Sequence, residues 1–167
     1  MKIIPVLCDI RSLHNVGSLL RTADGLGFDT VYTVGYTPHM KQPGDARLPH
    51  VIKRAESQLA KTALGAERAI SNRHLATYDE LFAELDTSGY EIIGLETGKT
   101  AKNIFKFKPP GKLALLLGPE LDGLSETVLA HCHEVVEIPM SGSKKSFNVA
   151  VAGGIALSYL INHQNYR

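Results

Sequence analysis

Three short segments of this 167-residue chain carry polar side chains at spacings that suit a ligand. The first is Asn15-x-Gly17-x-x-x-Arg21-x-Ala23. With Asn15 near a helix start, Arg21 falls about one and a half turns further on, where a guanidinium could meet an anion brought to a strand's C-terminal edge. A capping Asn followed by a solvated Arg fits the same spacing. The second segment is Leu115-Leu116-Leu117-Gly118-Pro119-Glu120-Leu121-Asp122-Gly123, an aliphatic run ending in a Gly-Pro turn with a carboxylate. Glu120 reads either as a ligand-facing acid or as a charge at a helix N-terminus. The third runs from Ile138-Pro139-Met140 through Ser146-Phe147-Asn148 to Ala150. There Ser146 and Asn148 could cap the following helix or bind a ligand, and Ala150, Ala152, Gly153, Gly154 and Ala156 offer a small-residue face open to close backbone approach.

Other motifs resolve into structural roles. Gly25-Leu26-Gly27 follows a helical pattern and precedes a strand, the reverse of the order a dinucleotide fingerprint needs, so these glycines read as helix stops. No G-x-x-x-x-G-K-[ST] run occurs. His131-Cys132-His133 points its side chains in different directions on either a helix or a strand, and no second cluster completes a zinc set, so no metal is expected. Ser125 lacks the flanking glycines of a nucleophile elbow.

The elements that must hold the three segments follow from periodicity. Strands are expected at 3–10, 30–36, 90–95, 113–117 and 135–138, and helices from Val16 to about Ala23 (capped by Asn15 or Ser12), then at 51–63, 77–85, 125–131 and 149–160. Alternating strands and helices, with aliphatic strands such as Leu113–Leu117, predict an α/β domain: a mainly parallel sheet with helices on both faces. Each polar segment then follows a strand, where α/β sheets bind their ligands, and the three suggest one shared site. The Pro- and Gly-punctuated stretch 37–49 is a long loop.

Composition narrows the class. Hydrophobic residues make up 44% and charged residues 21%, enough for one full core. Eighteen Lys and Arg balance seventeen Asp and Glu, which excludes a uniformly basic surface, so a nucleic-acid partner would have to be held by local patches. Two cysteines, Cys8 and Cys132, make no disulfide scaffold and point to a reducing, cytoplasmic setting. No apolar run approaches membrane-spanning length.

At Asn15 to Ala23, Leu116 to Gly123 and Ile138 to Ala150, the chain resembles the SpoU (TrmH-like) branch of the SPOUT RNA methyltransferases. All three motifs occur in order, and the likeness extends over about residues 3–160. The resemblance implies an S-adenosylmethionine-dependent transfer of a methyl group to a ribose 2′-hydroxyl of tRNA or rRNA. It implies a C-terminal deep trefoil knot made by the loop after Gly118 and the loop from Met140 to Phe147, and a homodimer with the knot near its interface. One domain is expected over 1–167, without the N-terminal RNA-binding extension many relatives carry. Carried over by position, the cofactor pocket forms around Leu95, Glu96 and Thr97, Gly118, Ile138 and Met140, completed by Ser146, Phe147 and Asn148. Arg21 matches the residue that the family assigns to deprotonating the ribose hydroxyl, with Asn15, Glu120, Ser146 and Asn148 as the other functional positions. A guanidinium, with a pKa above about 12, is a poor base, so gripping phosphate and ribose is the sounder role for Arg21.

RNA contact is expected from Arg21, from Lys41, Arg47, Lys53 and Arg54 around the long loop, and from Lys144 and Lys145. The stretch 99–112, with Lys99, Lys102, Lys106, Lys108 and Lys112 interleaved with Phe105 and Phe107, reads as RNA contact or as a solvated edge. Two other readings stand beside ribose methylation. One is base methylation, as in other SPOUT branches, and the other is a non-catalytic RNA-binding module of the same fold.

Overall fold

A computed structural model describes residues 1–163. Seven strands form one sheet in the order β3-β2-β1-β6-β4-β7-β5, with every pairing parallel. They are β1 (Lys2–Cys8), β2 (Thr30–Val34), β3 (Ser71–Leu75), β4 (Glu91–Leu95), β5 (Lys102–Asn103), β6 (Lys112–Leu117) and β7 (Glu134–Glu137). The helices are α1 (Leu13–Gly25), α2 (Pro49–Ala63), α3 (Ala66–Ala69), α4 (Tyr78–Thr87), α5 (Glu126–Leu129) and α6 (Val149–Asn162).

The aliphatic character of β1 and β6 follows from burial on both sides. Successive strand residues point to opposite faces. Leu7, Leu113, Leu115 and Leu117 therefore enter one core with α1, α2 and α6, while Val6, Cys8, Ala114 and Leu116 enter a second with α4. A charge at any of these positions would be buried without a partner, and that accounts for their unbroken aliphatic run.

Two features position the site. After β1 the chain crosses through α1 to β2 on one side, while after β6 it crosses through α5 to β7 on the other. The carboxyl ends of neighbours β1 and β6 are thus a switch point where the connections diverge and leave a crevice. The small face of α6 then lets it pack onto α1. A Cβ on Gly153 would lie 2.5 Å from Leu19 Cδ2 and 3.0 Å from Leu117 Cδ1. The approach that α6 permits is to leucine side chains within the domain rather than to another backbone.

The sheet holds two strands that periodicity missed, β3 and β5. β3 reads Ser-Asn-Arg-His-Leu, polar because it is an edge strand, and β5 is only two residues long. The Gly25/Gly27 pair does stop α1: Gly27 has φ of 79° and its N–H donates to Asp24 O at 2.9 Å. Ser125 caps α5, its Oγ accepting the Val128 N–H at 3.3 Å. Among the described residues no helix is long and apolar enough to cross a membrane.

Candidate active site

Helix α1 is capped by Ser12, whose side chain accepts the Asn15 N–H at 3.2 Å. The cap reading of Asn15 is therefore corrected, and its carboxamide is left for other work. Asn15 Nδ2 donates to Glu120 Oε1 at 2.7 Å, and Asn15 Oδ1 accepts from Asn148 Nδ2 at 3.2 Å. Asn148 is the N-cap of α6, its Oδ1 accepting the Ala150 N–H at 2.9 Å. That last bond fixes both amide orientations: the cap takes the oxygen of Asn148, so its nitrogen must face Asn15, and Asn15 must turn its own nitrogen to the carboxylate. One chain of hydrogen bonds thereby links all three sequence motifs. Glu120 lies well before α5 begins at Glu126, so its reading as a helix N-terminal charge is also corrected.

Beside this chain is a cleft of about 320 Å³, large enough for a nucleoside-sized ligand. From β4 and its loop come Leu95, Glu96 and Thr97, and from the turn after β6 come Gly118 and Glu120. The segment after β7 adds Ile138, Met140, Ser146 and Phe147. Of the expected pocket residues, Asn148 alone is absent from the walls, being occupied as cap and tether. Leu117, Val149 and Ala152 add apolar lining. Lys145, expected to face RNA, also lines this cleft, and so does Glu137, which the sequence reading missed.

Two backbone features shape the cleft. Gly118 is buried, and a Cβ there would come within 2.8 Å of Leu124 N and 3.0 Å of Gly123 C. Glu96 ties the walls together, accepting the N–H groups of Thr97 and Leu124, each at 2.9 Å. Gly123 has φ of 68° and no room for a side chain beside Glu96, so glycine is required there on both counts.

The remaining basic residues are dispersed. Arg21 is exposed and is not among the cleft walls, and its side chain makes no hydrogen bond or ion pair with another described residue. Arg47 is bound to Asp45 at 2.6 Å and to the carbonyls of His39 and Met40, so it braces the long loop. That guanidinium also holds the Asp45 carboxyl well below the usual range. Lys41, Lys53, Arg54 and Lys144 are exposed. Helix α2 meets α1 through Leu59 and Thr62, which puts Lys53 and Arg54 about 8 to 14 Å along its axis from that crossing. In the 99–112 stretch, Lys102 pairs with Glu134 at 2.6 Å, Phe107 is in the core, and Lys112 donates to Ser88 O at the amino end of β6. The five lysines and Phe105 remain exposed, so of these basic and aromatic residues only Phe107 is withdrawn from the surface.

The histidine-cysteine run is structural. His133 Nδ1 accepts the Ile92 N–H at 3.0 Å, and the His131 ring stacks on Phe82. Burial pushes the Cys132 thiol up to about 11 and the Cys8 thiol higher still.

The sequence matches the SpoU rRNA Methylase family over residues 2–158. The chain belongs to that family. It is 30% identical over 152 residues to the 23S rRNA (guanosine-2′-O-)-methyltransferase RlmB of Escherichia coli, which covers 91% of this chain and 56% of that protein. The enzyme of the same name from Haemophilus ducreyi is 30% identical over 160 residues, or 95% of this chain and 59% of its own. The chain thus spans little more than half the length of these curated relatives. Its fold matches the SpoU methyltransferase AviRb from Streptomyces viridochromogenes in complex with AdoMet, with a TM-score of 0.82 at 21% identity over 99% of this chain and 62% of that one. A solved structure bearing on 2-OH methylation of C/U34 on tRNA matches with a TM-score of 0.78 at 23% identity over 99% and 98% of the two chains. For this SpoU chain, the hydrogen-bond chain joins the family's three motifs, and the cleft lies against it.

Proposed function

We propose that this chain is an S-adenosylmethionine-dependent RNA methyltransferase acting on a ribose 2′-hydroxyl of tRNA or rRNA. The observation that carries the reading is the Asn148–Asn15–Glu120 chain bordering a cleft of about 320 Å³. The name of the RlmB relatives, ribose 2′-O-methyltransferases of 23S rRNA, supports the reaction class. The AdoMet complex of AviRb supports the methyl donor.

The cleft suits that donor by its chemistry. Leu95, Leu117 and Ile138 offer apolar surface, Gly118 lines the wall without a side chain, and Glu137 is a nearby carboxylate. When bound, S-adenosylmethionine supplies a methyl group activated by the positive charge of its sulfonium. The chain's own residues do the rest. Gly118, Met140 and Phe147 would hold and enclose the ligand. Glu120 has Oε1 taken by Asn15, leaving Oε2 to accept a hydrogen bond from the ribose hydroxyl. Arg21, with unengaged donors, grips an RNA phosphate in a bidentate manner and orients the sugar for attack. As the 2′-oxygen takes the methyl group and the donor sulfur keeps the bonding pair, the hydroxyl proton would pass to Glu120 Oε2 and from there to solvent.

A trefoil knot is part of the same proposal. What supports it is the strand order: β7 is inserted between β4 and β5, so the connection 96–101 must pass over the end of β7. Gly98 N donates to Glu137 Oε2 at 3.4 Å across that crossing. A homodimer is supported by exposed apolar side chains at the start of and along α6, Phe147 and Val151. Sedimentation velocity reads the dimer directly, and a monomer at enzyme concentrations removes it.

The deciding experiment incubates purified protein with labelled S-adenosylmethionine and RNA from cells lacking the gene, followed by nucleoside mass spectrometry. A 2′-O-methylated nucleoside is expected. A methylated base, or no transfer to any RNA, overturns the reading.

A further inference from the structure

Tyr36 stands at the carboxyl end of β2 with 55% of its surface exposed, and the Arg11 Cζ lies 5.6 Å from its ring centroid. Nothing in the core needs this ring, yet its backbone is held tightly. Tyr36 N donates to Asp9 Oδ1 at 3.1 Å, and Asp9 Oδ2 accepts from Tyr78 Oη at 2.7 Å. Asp9 adopts a left-handed φ of 49°, which costs energy in a non-glycine residue and persists only when its surroundings hold it. Gly35, at φ of 66°, has no space for a Cβ against that carboxylate. An exposed aromatic on a clamped turn is a surface prepared for contact.

Arg11 and Tyr36 form one wall of a groove of about 310 Å³ whose opposite wall is Pro119 to Asp122. Those same four residues line the candidate cofactor cleft, so the two spaces share one thin partition. Leu121, 88% exposed, supplies an apolar surface across from the ring. Arg11 is the groove's cation, while Glu120 and Asp122 stand on the partition side. The charges therefore favour a flat polar ring between the walls with its phosphate toward Arg11.

We infer that this groove seats one unstacked RNA base next to the ribose being methylated, with Tyr36 as the stacking surface and Arg11 as its cationic partner. The inference rests on the RNA-methylation reading and adds where the substrate lies. Splayed bases in RNA loops are held by stacking on aromatic rings and guanidinium planes, and each such contact contributes measurably to affinity. The shared partition puts a base seated here within one nucleotide of the cleft.

The test uses the full chain as wild type and as Tyr36→Ala, Tyr36→Phe and Arg11→Ala. Fluorescence anisotropy with labelled single-stranded oligoadenylate and oligouridylate measures RNA binding, calorimetry measures S-adenosylmethionine binding, and transfer to RNA from cells lacking the gene gives KM and kcat. Tyr36→Ala is expected to weaken RNA binding and raise the RNA KM by about 5- to 150-fold, the range set by loss of one base stack. Cofactor affinity should stay unchanged, Tyr36→Phe should behave as wild type, and Arg11→Ala should weaken RNA binding and flatten its salt dependence. RNA affinity and KM unchanged in Tyr36→Ala overturn the inference, as does equal damage from Tyr36→Phe. A change of oligomeric state in Tyr36→Ala with RNA affinity unchanged overturns it in favour of a protein contact. If wild type binds RNA through Tyr36 but transfers no methyl group, the functional reading falls and the base seat stands. If wild type methylates RNA and Tyr36→Ala does so with the same KM, the seat alone falls.

Discussion

Asn15 and Glu120, 105 residues apart in sequence, meet in a 2.7 Å hydrogen bond from carboxamide to carboxylate. Because Asn15 also accepts from Asn148, this one side chain fixes the turn after β6 and the start of α6 relative to α1. A charged acceptor makes such a bond stronger than its neutral counterpart and makes its orphaning costlier.

Replacing Asn15 by Ala is expected to lower methyl-transfer kcat more than it lowers cofactor affinity, and to destabilise the fold by about 1 to 3 kcal/mol. Glu120→Gln, which keeps the shape and removes the charge, should cost less stability. A double-mutant cycle on chemical denaturation and on kcat checks the coupling, and additive effects would show the contact to be inert.

Gly118→Ala should weaken S-adenosylmethionine binding, because the new methyl would press on Leu124 N and Gly123 C, both backbone atoms with little freedom to yield. An overpacking cost of about 1 to 3 kcal/mol is expected in the affinity measured by calorimetry. Wild-type affinity would mean that the turn shifts freely.

Gly17 belongs to the first motif, but its role is packing. A Cβ there would lie 2.1 Å from Thr62 Oγ1 and 2.6 Å from Leu59 O, so α1 and α2 cross at this glycine. Gly17→Ala should lower thermal stability by several degrees, consistent with about 1 to 3 kcal/mol of overpacking. Thr62→Gly in the same chain should recover part of the loss, since the hydroxyl is the nearer obstacle.

The loop 37–49 is pinned to β3 through stacked His39 and His74 rings, 3.5 Å apart, and burial with nearby His39 and Arg47 pushes His74 down to about 4. His74 is therefore neutral when folded, whereas it would protonate near its ordinary value of 6.5 when unfolded. The unfolded state binds more protons in that interval, so stability is fully present above about 6.5 and falls as pH drops toward about 4. His74→Gln should flatten this part of the stability–pH curve in chemical denaturation, and an unchanged slope would assign the effect to other groups.

The sequence by itself determined the doubly buried strands β1 and β6, the helices α1, α2, α4, α5 and α6 but not α3, and the three polar segments at strand ends, because each rests on local chemistry. Leu113 to Leu117 must be aliphatic wherever they lie in a parallel sheet, and Ser12 or Asn15 must cap a helix that starts there. It could not show β3 or β5, since an edge strand such as Ser71–Leu75 need not alternate and a two-residue strand has no period. Nor could it separate cap from ligand for Asn15, Glu120 and Asn148, which compete for the same local roles. Only the tertiary structure decided that, by letting Ser12 take the α1 cap and joining the three side chains across the β1–β6 switch point. It also paired Lys102 with Glu134 and drew Phe107 into the core, since ion pairing and core packing depend on neighbours distant in sequence. The pairing of Arg11 with Tyr36 belongs to the same class: 25 positions apart on two different loops, they meet only because β1 and β2 lie side by side.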